Sequence, residues 1–143
     1  MKTIQQFLNT ANQTLVTIDP EDTVFHALTL LAKHCLSALP VVRDGKLVGI
    51  ISERDYARKV VLKDKSSKET QVQEIMTAGV ITMRLENRID DCMAIMSSKH
   101  IRHLPIVNAE NGLIGIVSIG DVVNQVIEEQ RSMIDELHRY ISG

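Results

Sequence analysis

The sequence predicts an α/β (α+β) fold with an extended C-terminal helix. It is made of two pseudo-symmetric repeats packed sheet to sheet, each with the order strand–helix–strand–strand–helix. Three observations lead to this prediction. The chain of 143 residues repeats itself internally, and both copies show strand-like and helical apolar spacing in the same order. A helical pattern then continues past the end of the second copy.

The internal repeat appears when the two halves of the chain are aligned. The matched pairs include Val16 with Ile81, Leu39 with Leu104, Ser52 with Ser118, and Asp55 with Asp121. The copies differ by one residue in a turn, which holds Asp44-Gly45 in the first copy and Asn111-Gly112 in the second. A turn tolerates such a difference, and both dipeptides are typical of turns.

Each copy predicts its elements in the same order. A short apolar strand comes first, at residues 15–18 and 80–83. The following helix carries apolar residues at amphipathic spacing: Val24, Ala27, Leu28 and Leu31 in one copy, and Ile89, Cys92, Met93 and Met96 in the other. Two nearly continuous apolar strands follow, expected to be covered on both faces: 38–42 and 47–51, then 103–107 and 113–117. Asp55 and Asp121 open the last helix of each copy.

These elements predict four segments along the chain. Residues 1–62 form repeat 1 with a short lead-in helix at 4–10, and residues 63–72 form a polar linker. Residues 73–130 form repeat 2, and residues 131–143 form a C-terminal helix extension. The apolar stripe of the last helix consists of Val122, Val126, Met133, Ile134, Leu137, Tyr140 and Ile141. The repeat plan provides no partner for its second half, so we expect a homodimer, with folding back onto the domain as the alternative.

Composition excludes several classes of protein. The hydrophobic share of 44% and the charged share of 24% are those of a soluble globular protein. A net charge of −2 and only two Phe, two Tyr and no Trp do not favour nucleic-acid binding. The sequence has no apolar run of membrane-spanning length and no signal-peptide pattern at its N-terminus. We therefore expect no membrane contact and a cytoplasmic location.

Two segments carry a resemblance to a known family. Residues 37–42 (Ser-Ala-Leu-Pro-Val-Val) and 102–107 (Arg-His-Leu-Pro-Ile-Val) are each followed by Gly-x-x-Ser-x-x-Asp. Over about residues 10–128 the chain resembles a pair of CBS domains, the repeats named after cystathionine β-synthase, also called a Bateman module. As a stand-alone pair of this size it resembles small bacterial signal-transduction proteins, and related pairs occur in the gamma subunit of AMP-activated kinase. The resemblance implies a regulatory module for signal transduction and energy sensing, which binds an adenine nucleotide between its repeats and signals to a separate, unidentified protein.

The two Ser-x-x-Asp motifs allow two interpretations. A Ser three residues before an Asp at the start of a helix is an N-cap signature. In the ligand interpretation, Asp55 and Asp121 accept hydrogen bonds from a ribose diol, and Ser52 or Ser118 donates to a phosphate. The exposed N–H groups at a helix N-terminus also favour a phosphate. The two roles are compatible, and the residues alone leave both open.

Other site residues are implied by the resemblance. Arg102 and His103 would reach the phosphate, while the first copy offers Arg54, Arg58 and Lys59 around Asp55 instead. The residues implied around the adenine are Val16, Leu36, Ser37 and Ala38 for the Asp121 site, and Thr77, Ile81 and Ile101 for the Asp55 site. We expect the Asp121 site to be better formed, because Gly120 leaves room and Arg102 lies in the same repeat.

The sequence favours AMP as the ligand, with ADP, ATP and an NAD-type dinucleotide such as NADH as alternatives. We expect no enzymatic activity and no required metal. His100 and His103 lack a third metal ligand, and Ser118, Asp121 and His103 lack the nucleophile elbow of a hydrolase. The alternative function is a ligand-free scaffold for dimerisation or docking.

Overall fold

The computed structural model describes residues 1–11 and 13–142. In chain order the elements are α1 (Ile4–Thr10), α2 (Val24–His34), β1 (Ala38–Arg43), β2 (Lys46–Ser52), α3 (Glu53–Lys59), a 3-10 helix (Val61–Lys63), α4 (Val72–Ile75), α5 (Ile89–Lys99), β3 (His103–Val107), β4 (Leu113–Ser118) and α6 (Ile119–Ser142). The mixed α/β composition, the repeated helix–strand–strand–helix order and the long C-terminal helix confirm the predicted fold class.

Helices α2 and α5 occupy equivalent places in the two repeats and end in the same way. Each is followed by a residue in the left-handed conformation, Cys35 with φ 54° and His100 with φ 55°. Such a residue closes the last helical turn. The buried residues are Val24, Ala27 and Leu31 in α2, and Ile89, Cys92 and Met96 in α5. Both predicted amphipathic helices are confirmed.

The strands form two antiparallel hairpins. Strand β1 pairs with β2, from Ala38 opposite Ser52 to Arg43 opposite Lys46. Asp44 and Gly45 both have positive φ, at 52° and 76°, as a two-residue turn between twisted strands requires. Strands β3 and β4 form the second sheet, and in their turn the Asn108 side-chain oxygen accepts from Gly112 N–H at 2.7 Å. Both predicted turns are confirmed.

The predicted coverage of the strands is right for only half of them. Four consecutive residues are buried in β1 and again in β3, so both faces of these strands are covered. In β2 and β4, buried residues alternate with half-buried or exposed ones. The prediction of complete coverage is therefore wrong for β2 and β4. In these two strands one face is buried, and the side chains of the other face stay partly exposed.

The predicted opening strands at 15–18 and 80–83 are wrong. In the first segment only Ile18 makes a bridge, donating to Pro40 C=O at 3.1 Å and accepting from Val42 N–H at 2.9 Å. The chain then turns, because Asp19 accepts from the N–H groups of Glu21 and Asp22. In the second segment a bridge occurs at Met83. Each segment therefore makes a single β-bridge and does not pair along its length as a strand would.

The chain divides into two compact units, which we name after the aspartate that each contains. The Asp55 unit comprises Thr14–Thr82 and Pro105–Ile116. Its core consists of Ile18, Val24, Ala27, Leu31, Leu39, Val41, Ile51, Val60, Val72 and Ile75. The Asp121 unit comprises Met1–Gln13, Met83–Leu104 and Val117–Gly143. Its buried apolar residues include Ile4, Phe7, Met83, Ile89, Cys92, Met96, Leu104, Val117 and Val122.

The lead-in helix α1 is held in the Asp121 unit, although it begins the chain. Ile4 N–H donates to Asn87 C=O at 2.8 Å, and Ile89 N–H donates to Lys2 C=O at 3.0 Å. Helix α4 is held in the Asp55 unit by the same kind of pairing, with Val24 N–H donating to Thr70 C=O at 2.8 Å. Helix α1 thus precedes repeat 1 in the chain but stabilises the start of α5 in repeat 2. The segment that leads into α4 precedes repeat 2 but stabilises the start of α2 in repeat 1.

Helix α6 runs from Ile119 to Ser142, as the C-terminal pattern predicts. Gly143 lies outside the described residues. The first turns of α6 pack against α5 and bury Val122. Every residue from Ile127 to Ser142 is exposed, so the second half of α6 has no cover within the described chain.

Candidate functional site

The candidate site in the Asp55 unit is built on the N-terminus of α3. The Ser52 hydroxyl accepts from Asp55 N–H at 3.1 Å, and Asp55 Oδ2 accepts from Ser52 N–H at 2.9 Å. Asp55 Oδ2 also accepts from the Ser52 hydroxyl at 3.0 Å. These reciprocal bonds form a capping box, which satisfies N–H groups that a helix start leaves open. The capping interpretation is confirmed for this repeat.

The N-terminus of α6 has the same arrangement in the Asp121 unit. The Ser118 hydroxyl accepts from Asp121 N–H at 3.2 Å, and Asp121 Oδ2 accepts from Ser118 N–H at 2.8 Å. One oxygen of each aspartate therefore serves the cap. In each repeat the cap bonds involve Oδ2, and Oδ1 takes no part in the cap.

The two carboxylates differ in what Oδ1 contacts. Lys59 Nζ lies 3.2 Å from Asp55 Oδ1 and donates to Ile75 C=O at 2.8 Å. Asp55 is also buried, with 8% of its surface exposed. Asp121 is half-buried, and Gln125 stands in α6 where α3 has Lys59. A lysine therefore neutralises the first carboxylate, and its counterpart in the second repeat carries no charge.

Two basic residues lie at the start of α6. Ile119 N–H donates to Arg102 C=O at 2.8 Å, which fixes the Arg102 backbone beside the first turn of the helix. Burial lowers the pKa of His103 below its ordinary value of 6.5; Arg102 adds to this lowering, and Asp121 opposes it. His103 is thus mostly neutral at pH 7, and Arg102 supplies the permanent positive charge of this group.

The first repeat lacks a cation at the corresponding place. Glu53 N–H donates to Ser37 C=O at 3.1 Å, the equivalent of the bond between Ile119 and Arg102. Arg54 and Arg58, two of the three cations predicted for this repeat, lie on α3 and are exposed. The predicted cations of the Asp55 site therefore lie on α3 and not in the segment before β1.

Gly49 in the first motif and Gly120 in the second, which stand at different motif positions, have different surroundings. A Cβ on Gly49 would lie 2.6 Å from Met76 Sδ and 2.9 Å from Thr77 C=O. This is the close backbone approach that a glycine inside a strand indicates. A Cβ on Gly120 would meet only Ser118 Oγ, at 3.7 Å, so the surface above the start of α6 is open.

The remaining predicted residues lie in both units. Thr77 is exposed and pairs with Ile50 through two backbone hydrogen bonds of 2.9 and 3.0 Å in the Asp55 unit. This unit also contains Ile81, which is half-buried, and Val16, Leu36, Ser37 and Ala38. Ile101 is half-buried in the Asp121 unit, beside Arg102 in the chain. The roles of these residues in enclosing an adenine stay predictions.

Two features went unpredicted as site elements. The first is the bridge that Lys59 makes: the sequence predicted a cation at Lys59 near Asp55, but not its bond to the Ile75 carbonyl. The second is a cavity of about 240 Å³ in the Asp55 unit, lined by Leu47, Val48, Gly49, Gly79, Val80, Thr82 and Asn111. Its residues come from distant turns and strands, and no local motif identifies them.

Residues 1–11 and 13–142 contain no group of three or more His, Cys, Asp or Glu side chains arranged to hold a metal ion. Within the same part of the chain, no helix combines the length and the apolar character needed to cross a bilayer.

The fold and the two capped carboxylates define a tandem-repeat α/β protein with one potential binding group at a helix start in each repeat. The family model of the CBS domain matches the chain twice, over residues 9–62 and 72–128. The chain belongs to the CBS domain family.

Known proteins share both sequence and structure with this chain. It is 42% identical over 128 residues to the CBS domain-containing protein CBSX3, mitochondrial, of Arabidopsis thaliana. That alignment covers 86% of this chain and 62% of CBSX3, so the chain spans about three fifths of that relative. The crystal structure of the CBS domain protein NE2398 superposes with a TM-score of 0.82 at 44% identity, covering 88% of this chain and 98% of NE2398.

Two structurally similar proteins were solved with adenosine-containing ligands. CBSX2 in complex with AMP has a TM-score of 0.77 at 28% identity, with 91% of this chain and 99% of CBSX2 covered. The CBS domain pair of MJ0100, in complex with 5′-methylthioadenosine and S-adenosyl-L-methionine, has a TM-score of 0.79 at 28% identity, with 90% and 98% covered. An adenosyl group is common to all three ligands.

Proposed function

We propose that this chain is a regulatory module that binds an adenine nucleotide, with the Asp121 group as its principal anchor for the ribose and phosphate. The observation that carries the proposal is the grouping of Arg102, His103, Ser118 and Asp121 around the start of α6. The adenosine ligands bound by two related CBS proteins support it.

The chemistry of this group suits a nucleoside phosphate. Asp121 Oδ2 serves the cap, and its carboxylate retains acceptor capacity for the hydroxyls of a ribose. The N-terminus of a 24-residue helix carries partial positive charge that favours a phosphate. Arg102 adds a full positive charge and planar donor geometry. The open surface at Gly120 leaves room for the ligand.

AMP fits the charge of this group better than ATP does. The phosphate of AMP needs about the charge that Arg102 and the helix N-terminus supply together. Because burial keeps His103 mostly neutral, the two further phosphates of ATP would need cations from elsewhere. In binding experiments, ATP and NADH are the ligands to compare with AMP. Sensing would follow if AMP and ATP stabilise two conformations to different extents, with the difference passed to a separate partner protein.

We propose that the chain forms a homodimer through the second half of α6. Ile127, Met133, Ile134, Leu137, Tyr140 and Ile141 are 40–87% exposed and follow one another at helical spacing. A second copy presents the same face, so a two-fold pairing buries both stripes at once. The polar side chains of the opposite helix face, such as Glu128 and Asp135, stay in water. This exposed face also supports the second candidate function, a ligand-free scaffold. The cytoplasmic location stays a prediction.

The substitution Asp121→Asn tests the proposed anchor. Asparagine keeps an oxygen that can accept from Ser118 N–H, so the cap survives while the charge and one acceptor are lost. Because hydrogen bonds to a charged group contribute about 1.5–3 kcal/mol, we expect AMP affinity to fall about tenfold to a hundredfold in isothermal calorimetry.

Asp135→Asn is the matched control, because Asp135 is exposed later on the same helix. It removes the same charge and should leave the AMP isotherm unchanged. An unchanged isotherm for Asp121→Asn would remove Asp121 from the site.

A further inference from the structure

The contact between Lys59 and Asp55 occupies the part of the carboxylate that a ligand would need. Asp55 Oδ2 already accepts from Ser52 N–H and the Ser52 hydroxyl, at 2.9 and 3.0 Å. Lys59 Nζ lies 3.2 Å from Oδ1, the remaining oxygen. A ribose diol that approached Asp55 would therefore meet a carboxylate whose two oxygens both have partners within the protein.

Lys59 has a second anchor that a simple surface ion pair lacks. Its ammonium donates to Ile75 C=O at 2.8 Å, the last residue of α4. An exposed ion pair between residues i and i+4 contributes only about 0.3–0.5 kcal/mol and opens easily. A charged donor that also satisfies a backbone carbonyl is held more firmly. Displacing Lys59 breaks both contacts and leaves that carbonyl without this donor.

The second repeat keeps the cap but has no lysine at the position of Lys59. Ser118 and Asp121 repeat the capping box of Ser52 and Asp55, with closely similar distances. Gln125 stands where the first repeat has Lys59, so no lysine follows Asp121 at this spacing. The two sites therefore share the same cap, and only the first has a lysine one helical turn after its aspartate.

The Asp55 site, like the Asp121 site, has positive charge available for a phosphate. Arg54 and Arg58 are exposed on α3 and can reach a phosphate near the helix start. The site has cations for a phosphate, but its buried aspartate, the proposed ribose ligand, is paired with Lys59. The internal contact of Lys59 therefore separates the Asp55 site from the Asp121 site.

We propose that Lys59 acts as an internal occupant of the Asp55 site and limits the chain to one adenine nucleotide, bound at Asp121. This inference rests on the proposed function. It makes Lys59 a residue that determines stoichiometry and gives the two repeats different roles: one binds the nucleotide, and the other is closed by its own side chain.

Reciprocal substitutions test this assignment. Lys59→Gln gives the first repeat the residue of the second, and Gln125→Lys does the reverse. Calorimetry with AMP should give one site per chain for the unmodified protein and two sites for Lys59→Gln. Gln125→Lys should weaken binding at Asp121 about tenfold, because the new ammonium competes for the carboxylate. Lys63→Gln, which removes an exposed lysine after α3, should leave one site.

Each outcome is decisive once circular dichroism shows that the variants are folded. Two sites in the unmodified protein, or one site in Lys59→Gln, would overturn the role of Lys59 and leave the proposed function standing. No binding by any of the proteins would overturn both proposals. Binding by Lys59→Gln alone would support the role of Lys59 and overturn the assignment of the principal site to Asp121.

Discussion

Gly49 allows the chain at Met76 and Thr77 to lie directly against strand β2. A methyl group at this position would come within 3.0 Å of both residues, and the Thr77 carbonyl is part of a backbone pairing with Ile50 that cannot shift easily. The tight contact brings α4, and with it the Ile75 carbonyl, to the place where Lys59 can reach it. One small residue thus determines the surroundings of the Asp55 site.

Gly49→Ala should destabilise the protein by about 1–3 kcal/mol, the usual effect of overpacking a close contact. Urea unfolding without nucleotide measures the difference. Gly120→Ala is the control, since its new methyl group meets only Ser118 Oγ at 3.7 Å. Its effect should stay within about 1 kcal/mol, because alanine favours a helix more than glycine does. Equal losses in the two variants would contradict this explanation.

The Ser-x-x-Asp spacing predicted its own geometry correctly, because a capping box involves residues only three apart. The surroundings of each aspartate were not predictable in the same way. The Lys59 ammonium contacts a carbonyl that lies on another helix, and the pKa of His103 is lowered mainly by burial. Both effects depend on segments that approach only in the folded chain.

At the level of secondary structure, the long helices and the hairpins followed from local patterns, and the opening strands did not. A helix satisfies its backbone hydrogen bonds within itself, so its apolar spacing is a sufficient signal. A strand needs a neighbour to continue its ladder. Ile18 finds that neighbour at a single residue, and the chain then turns at Asp19.

Helix α6 is about 36 Å long, at 1.5 Å per residue, and its residues from Ile127 to Ser142 are all exposed. Truncation after Gln130 should convert the proposed dimer into a monomer, as measured by light scattering. Leu137→Asp should do the same at full length, because a buried charge is costly in an apolar interface.

Arg139→Gln serves as the control on the same helix, because it changes a charged side chain outside the apolar stripe. It should leave the molecular mass unchanged. A dimer that persists in both the truncated chain and Leu137→Asp would reject α6 as the interface.

At the scale of the whole molecule, each unit is assembled from segments that are distant in the sequence. The Asp121 unit combines the first residues of the chain with α5 and α6, and the Asp55 unit takes in the turn between β3 and β4. Short segments such as α1 and α4 therefore form backbone bonds with parts of their unit that are distant in the sequence. Binding a ligand to the native chain stabilises all these connections together.

Nucleotide binding should therefore raise the melting temperature. A ligand at about 100 times its Kd stabilises the native state by about 2.7 kcal/mol, which corresponds to roughly 5–10 °C for a chain of this size. A thermal-shift series with AMP, ATP and NADH should show the largest rise for AMP at equal concentrations. Inorganic phosphate is the control for binding through charge alone. If no nucleotide raises the melting temperature, the scaffold function is favoured instead.

The sequence by itself determined the two repeats, the order of their helices and hairpins, the turn positions and the two capped aspartates. These features depend on residues close together in the chain, whose spacing and conformational preferences are readable without a structure. Only the tertiary structure decided that Lys59 bridges Asp55 and Ile75, that α1 is held in the Asp121 unit, and that the opening strands reduce to single bridges. Each of these depends on contacts between distant segments, and those contacts exist only after the chain has packed.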